Sequence, residues 1–367
     1  MNSLEQIINE RKIPEILKFK SGKSVSDPAD FEKRRKEIKE LLLEYVYGTM
    51  PPKPEHFKVE LISCDNSFCA GKAPHSKMKI TVTVAGEDFS FPVSCVVPKD
   101  KKNVPAFVLI NFRDDVPDKY LPSEEIADRG YAVFSFCYNS ITKDNDDFTD
   151  GIASLFSPVR RTQSSPGKIA MWAWAAMRVM DYVETLDTVD LSSVAVIGHS
   201  RLGKTALLAG AFDERFKYII SNDSGCAGAA ITRGKRGEHI LDITNRFGYW
   251  FAKRYAKYAT DEYALPLDQH FLLAASAPRN ILIGSAEDDT WADPESEFLS
   301  AKLASEVYEK IYNVSGLSGS EELPTAKAVL DGGSVYYHVR HGLHYLSRED
   351  WNLYMDYIDK RRKSDKK

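Results

Sequence analysis

The chain has 367 residues, 43% hydrophobic and 28% charged, with a formal net charge of −4. This is the composition of a globular chain long enough for one large core, and its charge balance argues against nucleic acid or an anionic membrane surface as partner. No run approaches the roughly 18 apolar residues of a membrane span.

In chain order, Met1 to Ser24 is polar and charged and lacks a signal-peptide core, so the chain as written is expected in the cytoplasm. Residues 30 to 48 carry a helical period, with Ile38, Leu41, Leu42, Tyr45 and Val46 forming an apolar stripe. Met50-Pro51-Pro52-Lys53-Pro54 ends it. Three strand-like runs follow, Phe57 to Ser63, Met78 to Val84 and Phe89 to Val97, and the middle one alternates as a half-exposed antiparallel strand does.

From Pro105 the pattern changes. Short apolar runs at Ala106–Ile110, Tyr131–Phe136, Val194–Ile197, Tyr218–Ser221, Ile281–Ile283 and Val335–Val339 read as buried strands. Between them, Ile169–Leu186, Thr205–Phe212, the segment around Phe247–Tyr258, and Phe298–Tyr312 read as helices. Continuous apolar strands alternating with helices predict a parallel sheet covered on both faces. The expectation is an α/β fold of about eight to ten strands, with the early strands as an antiparallel edge. It forms one domain over residues 1–367 with a helical N-terminal extension over about residues 1–52. The five cysteines, Cys64, Cys69, Cys95, Cys137 and Cys226, are odd in number and scattered, and read as reduced thiols. Cys64 and Cys69 lack a His or Cys partner at zinc spacing.

Gly198-His199-Ser200-Arg201-Leu202-Gly203-Lys204-Thr205 lies between the strand Val194–Ile197 and a helix, and it has two incompatible readings. Gly-x-x-x-x-Gly-Lys-Thr matches a phosphate-binding P-loop. Gly-x-Ser-x-x-Gly is close to the nucleophile elbow of an α/β-hydrolase. The P-loop suffers from a bulky interior, His199 to Leu202, where small residues suit a cradle of backbone N–H groups. It also follows several strands rather than the first. The hydrolase reading requires an acid and then a histidine downstream, in that order, and Asp223 and His344 supply them. The elbow is preferred. Ser200 is then the nucleophile, although a serine there also suits a helix cap.

A serine hydroxyl needs a base to take its proton. His338 lies within a strand pattern, whereas His341 and His344 follow it, and His344 is favoured because it sits just ahead of the last helix. His199 is too close along the chain to serve as base. Asp223, at the end of the strand after the elbow, is the expected acid, and Asp289 in Glu287-Asp288-Asp289 is the alternative. The Arg201 backbone N–H suits an oxyanion hole, and its guanidinium, with Lys204 one turn on, would make the pocket cationic; both side chains also suit ordinary surface ion pairs.

These residues resemble the glucuronoyl esterases, carbohydrate esterase family fifteen. The resemblance rests on the elbow and on Asn222-Asp223-Ser224-Gly225-Cys226-Ala227-Gly228-Ala229-Ala230. It extends to Arg236-Gly237-Glu238, Leu265-Pro266-Leu267-Asp268-Gln269-His270, Ala277-Pro278-Arg279 and the segment Ser285 to Pro294, in order between Ile169 and Trp351. It implies an α/β-hydrolase fold without metal or cofactor. It implies hydrolysis of esters between glucuronic or 4-O-methylglucuronic acid and an alcohol. By position it implies a triad of Ser200, Asp223 and His344, with Arg201 at the oxyanion and Lys204, Glu238 and Trp291 on the uronate hydroxyls. Asp223 stands where better-known members carry glutamate, and Tyr345 where an aspartate usually follows the histidine. The implied partner is a small carbohydrate ester or a uronate-bearing oligosaccharide. An acetyl-sugar or acetylxylan esterase of the same fold, and a P-loop nucleotide binder, are the competing functions.

Overall fold

The computed structural model describes residues 4–157 and 161–364, so the first and last three residues of the expected domain lie outside it. Among the described residues ten strands form one sheet: β1 His56–Asp65, β2 His75–Val84, β3 Glu87–Val96, β4 Val104–Asn111, β5 Ala132–Cys137, β6 Val189–His199, β7 Tyr218–Asn222, β8 Asn280–Ala286, β9 Val329–Leu330 and β10 Val335–Arg340. Their order is β1-β2-β3-β5-β4-β6-β7-β8-β10-β9. The pairs β1/β2, β2/β3 and β3/β5 are antiparallel. From β5 through β4, β6, β7 and β8 to β10 every pair is parallel, and β9 adds a short antiparallel edge. This is the expected α/β-hydrolase architecture, with the early strands extending the parallel sheet.

The central strands are apolar throughout because both faces are covered. In β4, Ala106, Val108 and Ile110 join the core on one side, and Phe107 and Leu109 join the core on the other. β6 splits in the same way, with Val194 and Val196 against Ala195 and Ile197, as a two-residue side-chain period requires. Helices Lys168–Val183 and Arg201–Phe212 cover the first face. The last helix, Arg348–Ser364, covers the second through Trp351, Tyr354, Met355 and Ile358. Phe107 stacks on Tyr131 and meets Trp351 edge-on, with centroids 5.2 and 5.0 Å away. Among the described residues no helix is long and apolar enough to cross a membrane.

Two sequence-based expectations change. The segment around Phe247–Tyr258 is not one helix. An α-helix spans Ile240–Phe247, and single turns of 3₁₀ helix follow at Gly248–Trp250 and Tyr255–Tyr258. Its aromatic residues pack on one another rather than along a helical stripe, Phe247 lying flat on Trp250 at 4.1 Å. The helix expected at Phe298–Tyr312 begins earlier, at Pro294, because Asp293 caps it by accepting from the Ser296 N–H.

The N-terminal residues form an arm. Helix Leu4–Glu10 leads into a loop closed by a bridge between Lys18 and Ser24, and helix Pro28–Leu42 begins at the Asp27 cap. The arm docks on the sheet's flank through the buried Arg11, which donates to Ser296 Oγ at 2.6 Å and to Glu295 Oε1 at 2.7 Å.

Candidate active site

The carboxyl ends of β6, β7, β8 and β10 lie side by side, and the loops that leave them carry Ser200, Asp223, Asp289 and His344. Such a crevice beyond the strand ends is where open α/β sheets bind ligands. Here it is a cleft of about 310 Å³ whose lining includes all eight residues singled out from the sequence: Ser200, Arg201, Lys204, Asp223, Glu238, Asp289, Trp291 and His344.

Ser200 sits at φ 58°, ψ −127°, between the end of β6 and the helix that starts at Arg201. A non-glycine residue at positive φ costs about 1–3 kcal/mol and needs support. That support comes from its N–H, which donates to Asn222 O at 2.9 Å, and its C=O, which accepts from Gly203 N at 2.9 Å. A Cβ at Gly198 would lie 2.1 Å from Leu202 O, so the chain can turn this tightly only with glycine there. The Ser200 hydroxyl makes no capping bond, so the helix-cap reading fails. The P-loop reading fails as well. The helix begins directly after the serine, leaving no run of amides to cradle phosphate, and Lys204 is buried with its ammonium donating to Ser224 O and to Cys226 O.

His344 binds Asp289. Its Nδ1 lies 2.6 Å from Asp289 Oδ2, and since a carboxylate only accepts, the imidazole donates. This leaves Nε2 on the opposite edge of a half-exposed ring in the same cleft as Ser200. The second Asp289 oxygen accepts from the Ala292 N–H at 3.2 Å. The expectation that Asp223 holds the histidine is thereby corrected. Asp223 is buried, and its Oδ2 accepts from Arg340 and from the Tyr345 N–H, both at 3.3 Å, while Oδ1 has no partner among the described residues. The two environments have opposite effects. Burial, followed by the charges of Glu297, Asp289 and Asp350, pushes the Asp223 carboxyl well above the usual carboxylate range. Burial also acts to raise Asp289, but the His344 hydrogen bond and charge outweigh it and hold the carboxyl below that range. Asp289 bonds the imidazole directly and so is placed to stabilise the imidazolium, whereas Asp223 spends its Oδ2 on Arg340 and the Tyr345 N–H. Ligand atoms of Asp223, Asp289 and His344 all lie within 4.8 Å of one another, so a cation among them would have to displace the His344–Asp289 bond.

The three other histidines weighed from the sequence have partners of their own. His338 is buried within β10, with Nε2 2.8 Å from Asp350. His341 pairs with Glu287 at the surface. His199 contacts Asn222 at 2.7 Å and packs against the His344 ring at 4.5 Å. Burial and the neighbouring His344 push its pKa down to about 3, so it is a neutral shelf under His344.

The Arg201 guanidinium is paired with Asp144 and lies over Trp250 at 4.6 Å and Phe247 at 5.4 Å. Asp144 also accepts from Trp250 Nε1 at 2.6 Å and from the Tyr138 hydroxyl at 2.9 Å. Arg201 is therefore neither a surface ion pair nor loose in the cleft. Its backbone N–H, at the first helical position, has no acceptor within the helix. Opposite, Glu238 is buried, with Oε2 3.9 Å from the Lys204 ammonium. Its N–H donates to Trp291 O at 3.0 Å. Gly237, at φ 69°, permits this approach, since a Cβ there would come within 2.5 Å of Trp291 O. Trp291 itself is 47% exposed at the mouth of the cleft.

Sequence reasoning missed Asp144, Trp250, Glu297 and Arg340. The aromatic run Phe247-Gly248-Tyr249-Trp250-Phe251 was a readable signal, whereas Asp144 lies among several loop acids with no distinguishing spacing.

Residues 80–311 match a family model described as glucuronyl esterase, fungi. The chain belongs to the glucuronoyl esterase family. A carbohydrate esterase of an unknown prokaryotic organism is 32% identical over 392 residues, covering 95% of this chain and 89% of its own. A 4-O-methyl-glucuronoyl methylesterase of Schizophyllum commune is 27% identical, covering 82% of this chain and 73% of its own. Among solved structures, the glucuronoyl esterase from Solibacter usitatus superposes with a TM-score of 0.87 at 33% identity, covering 95% of this chain and 97% of that one.

Proposed function

We propose that this glucuronoyl esterase family member hydrolyses esters of glucuronic or 4-O-methylglucuronic acid through an acyl-enzyme on Ser200. The observation that carries the reading is the His344–Asp289 hydrogen bond beside the Ser200 elbow, in one cleft with Glu238, Lys204 and Trp291. The relatives named as 4-O-methyl-glucuronoyl methylesterases supply the substrate class.

In this reading His344 Nε2 takes the Ser200 proton as Oγ attacks the uronate carbonyl carbon. Asp289 stabilises the imidazolium that forms. The oxyanion faces the Arg201 backbone N–H and the positive end of the helix. Collapse breaks the ester C–O bond, His344 gives its proton to the departing alcohol, and the uronoyl group stays on Oγ. Water then repeats the sequence in reverse and frees the acid and Ser200. An ammonium has three donors, and Lys204 commits two to carbonyls. The third, with the Glu238 carboxylate, addresses ring hydroxyls, and Trp291 offers a face and an N–H at the rim. The cleft volume lies at the small end for ligand pockets, which suits a single uronate and favours small esters and oligosaccharides.

The test is a panel of methyl glucuronate, acetylated xylose and para-nitrophenyl acetate. Ser200→Ala should lower kcat on all three by several orders of magnitude with the melting temperature unchanged or raised. Glu238→Ala should cost roughly tenfold to a hundredfold on the uronate ester alone, the scale of one lost hydrogen-bond partner. A wild-type preference for acetylated xylose would move the substrate to the acetyl-sugar class.

A further inference from the structure

The histidine loop, residues 341–347, leaves β10 at Arg340 and ends at the first turn of the last helix. It contains no regular structure, and Gly342 turns it at φ 100°. A loop of this kind has many conformations of similar energy unless its backbone groups are tied, yet the proposed base must be held to a fraction of an ångström.

The ties converge on one side chain. Arg340 is buried, its Cα in register with Ala286 of β8. Nε donates to both oxygens of Asp350, at 3.1 and 2.9 Å. One terminal nitrogen donates to His341 O at 3.0 Å. The other reaches Leu343 O at 3.0 Å, Tyr345 O, and Asp223 Oδ2 at 3.3 Å. The carbonyls immediately before and after His344 are thus gripped by the same nitrogen. Asp350 is itself fixed, accepting from the Ser347 N–H at 2.7 Å and lying 2.8 Å from His338 Nε2. Asp223 accepts in addition from the Tyr345 N–H at 3.3 Å. Two buried carboxyls hold the guanidinium, Asp350 at Nε and Asp223 at a terminal nitrogen, and the guanidinium holds the loop.

We infer that Arg340 is the positioning residue of His344. Its planar fork sets the backbone on both sides of the histidine so that Nδ1 meets Asp289 while Nε2 faces Ser200. The assignment rests on His344 being the base of the proposed ester hydrolysis. It gives Asp223 and Asp350 a purpose that does not involve proton transfer. A lysine at this position keeps the charge, but as a point donor it cannot bridge Asp350 and two loop carbonyls at once.

The experiment compares Arg340→Lys, Arg340→Ala and His344→Ala in the full chain. It measures steady-state kinetics on methyl glucuronate and para-nitrophenyl acetate, normalised to the folded fraction from thermal melts. The expected result is a kcat lower by about tenfold to a hundredfold on both esters for both Arg340 variants, the scale of a displacement near 1 Å. KM for methyl glucuronate should stay within about twofold, because the Glu238 wall is untouched. Tens of millimolar guanidinium should restore part of the kcat of Arg340→Ala and none of that of His344→Ala, which general weakening of the fold would not produce. Should the alanine variant not fold, Arg340→Lys alone decides through the kcat and KM split. An inactive His344→Ala beside Arg340 variants of wild-type kcat overturns the positioning role alone. Activity within about tenfold of wild type in His344→Ala, where loss of a triad base costs far more, overturns the role and the esterase mechanism together.

Discussion

Two aspartates border His344, and their surroundings separate them. Asp289 is hydrogen-bonded to the imidazole, which holds its carboxyl below the usual carboxylate range; Asp223 is buried among other carboxyls, which push it above that range. Asp289→Asn is expected to lower kcat by roughly 10³-fold or more, as loss of a triad acid does. Asp223→Asn should stay within about tenfold of wild type, because an amide oxygen can still accept from Arg340 and the Tyr345 N–H; steady-state kinetics on methyl glucuronate decide the ranking. Glu297 gives a pH test. It is fully buried, accepting from Ser285 Oγ and Gly225 N at 2.5 and 2.8 Å, and burial raises its pKa to about 7. A raised carboxyl contributes stability that is complete below its unfolded value near 4.3 and is lost as pH rises to the folded value. Glu297→Gln should therefore gain stability relative to wild type progressively from about pH 4.5 to 7 and level off above, by on the order of 3 kcal/mol. Paired chemical denaturation curves measure this difference, and a gap that narrows with rising pH would contradict it. Ser200 and His344 were legible because a motif and a chain order announce them. The choice between Asp223 and Asp289 was not, since it turns on which carboxyl is crowded by Glu297 and Asp350, residues distant in sequence.

At the scale of elements, every sheet strand except the two-residue β9 was readable from its run and the helix Pro28–Leu42 from its stripe, but the function of the N-terminal arm was not. Arg11 grips Glu295 and Ser296. Glu295 also binds Arg236 at 2.8 Å, and Asp293 accepts from both the Arg236 N–H and the Ser296 hydroxyl. Arg236 lies two residues before Glu238, and Asp293 two after Trp291. The arm thus braces the wall proposed to hold the sugar, by contacts that no local pattern encodes. Arg11→Ala is expected to raise KM for methyl glucuronate about threefold to tenfold, equivalent to roughly 1 kcal/mol of lost support, and to leave hydrolysis of para-nitrophenyl acetate unchanged. Equal loss on both esters would mean that the arm supports the catalytic residues instead.

Across the whole molecule, one sheet carries the proposed nucleophile, acid and base beyond the ends of β6, β8 and β10, and their convergence follows from parallel strands whose carboxyl ends share one edge. The alternation of strands and helices announced that arrangement; the strand order needed the structure. The thiols follow the same division between core and rim. Cys95, Cys137 and Cys226 are buried, Cys69 is partly covered and Cys64 is exposed, and all five are free. Alkylation of the native protein should label Cys64 first and Cys69 more slowly, with the other three reacting only on unfolding, as mass spectrometry of timed samples would show. A reductant should leave the melting temperature unchanged.

The brace between Arg11 and Glu295 spans 284 residues, and this imposes an order in time. During synthesis the arm emerges well before the helix that receives it, with Ile7, Ile8, Ile13 and Leu17 in search of cover. Domains fold largely as units once their long-range partners exist, so the apolar side chains of the arm stay uncovered until that helix has been made. The wall beside Glu238 acquires this support only when Arg11 meets Glu295.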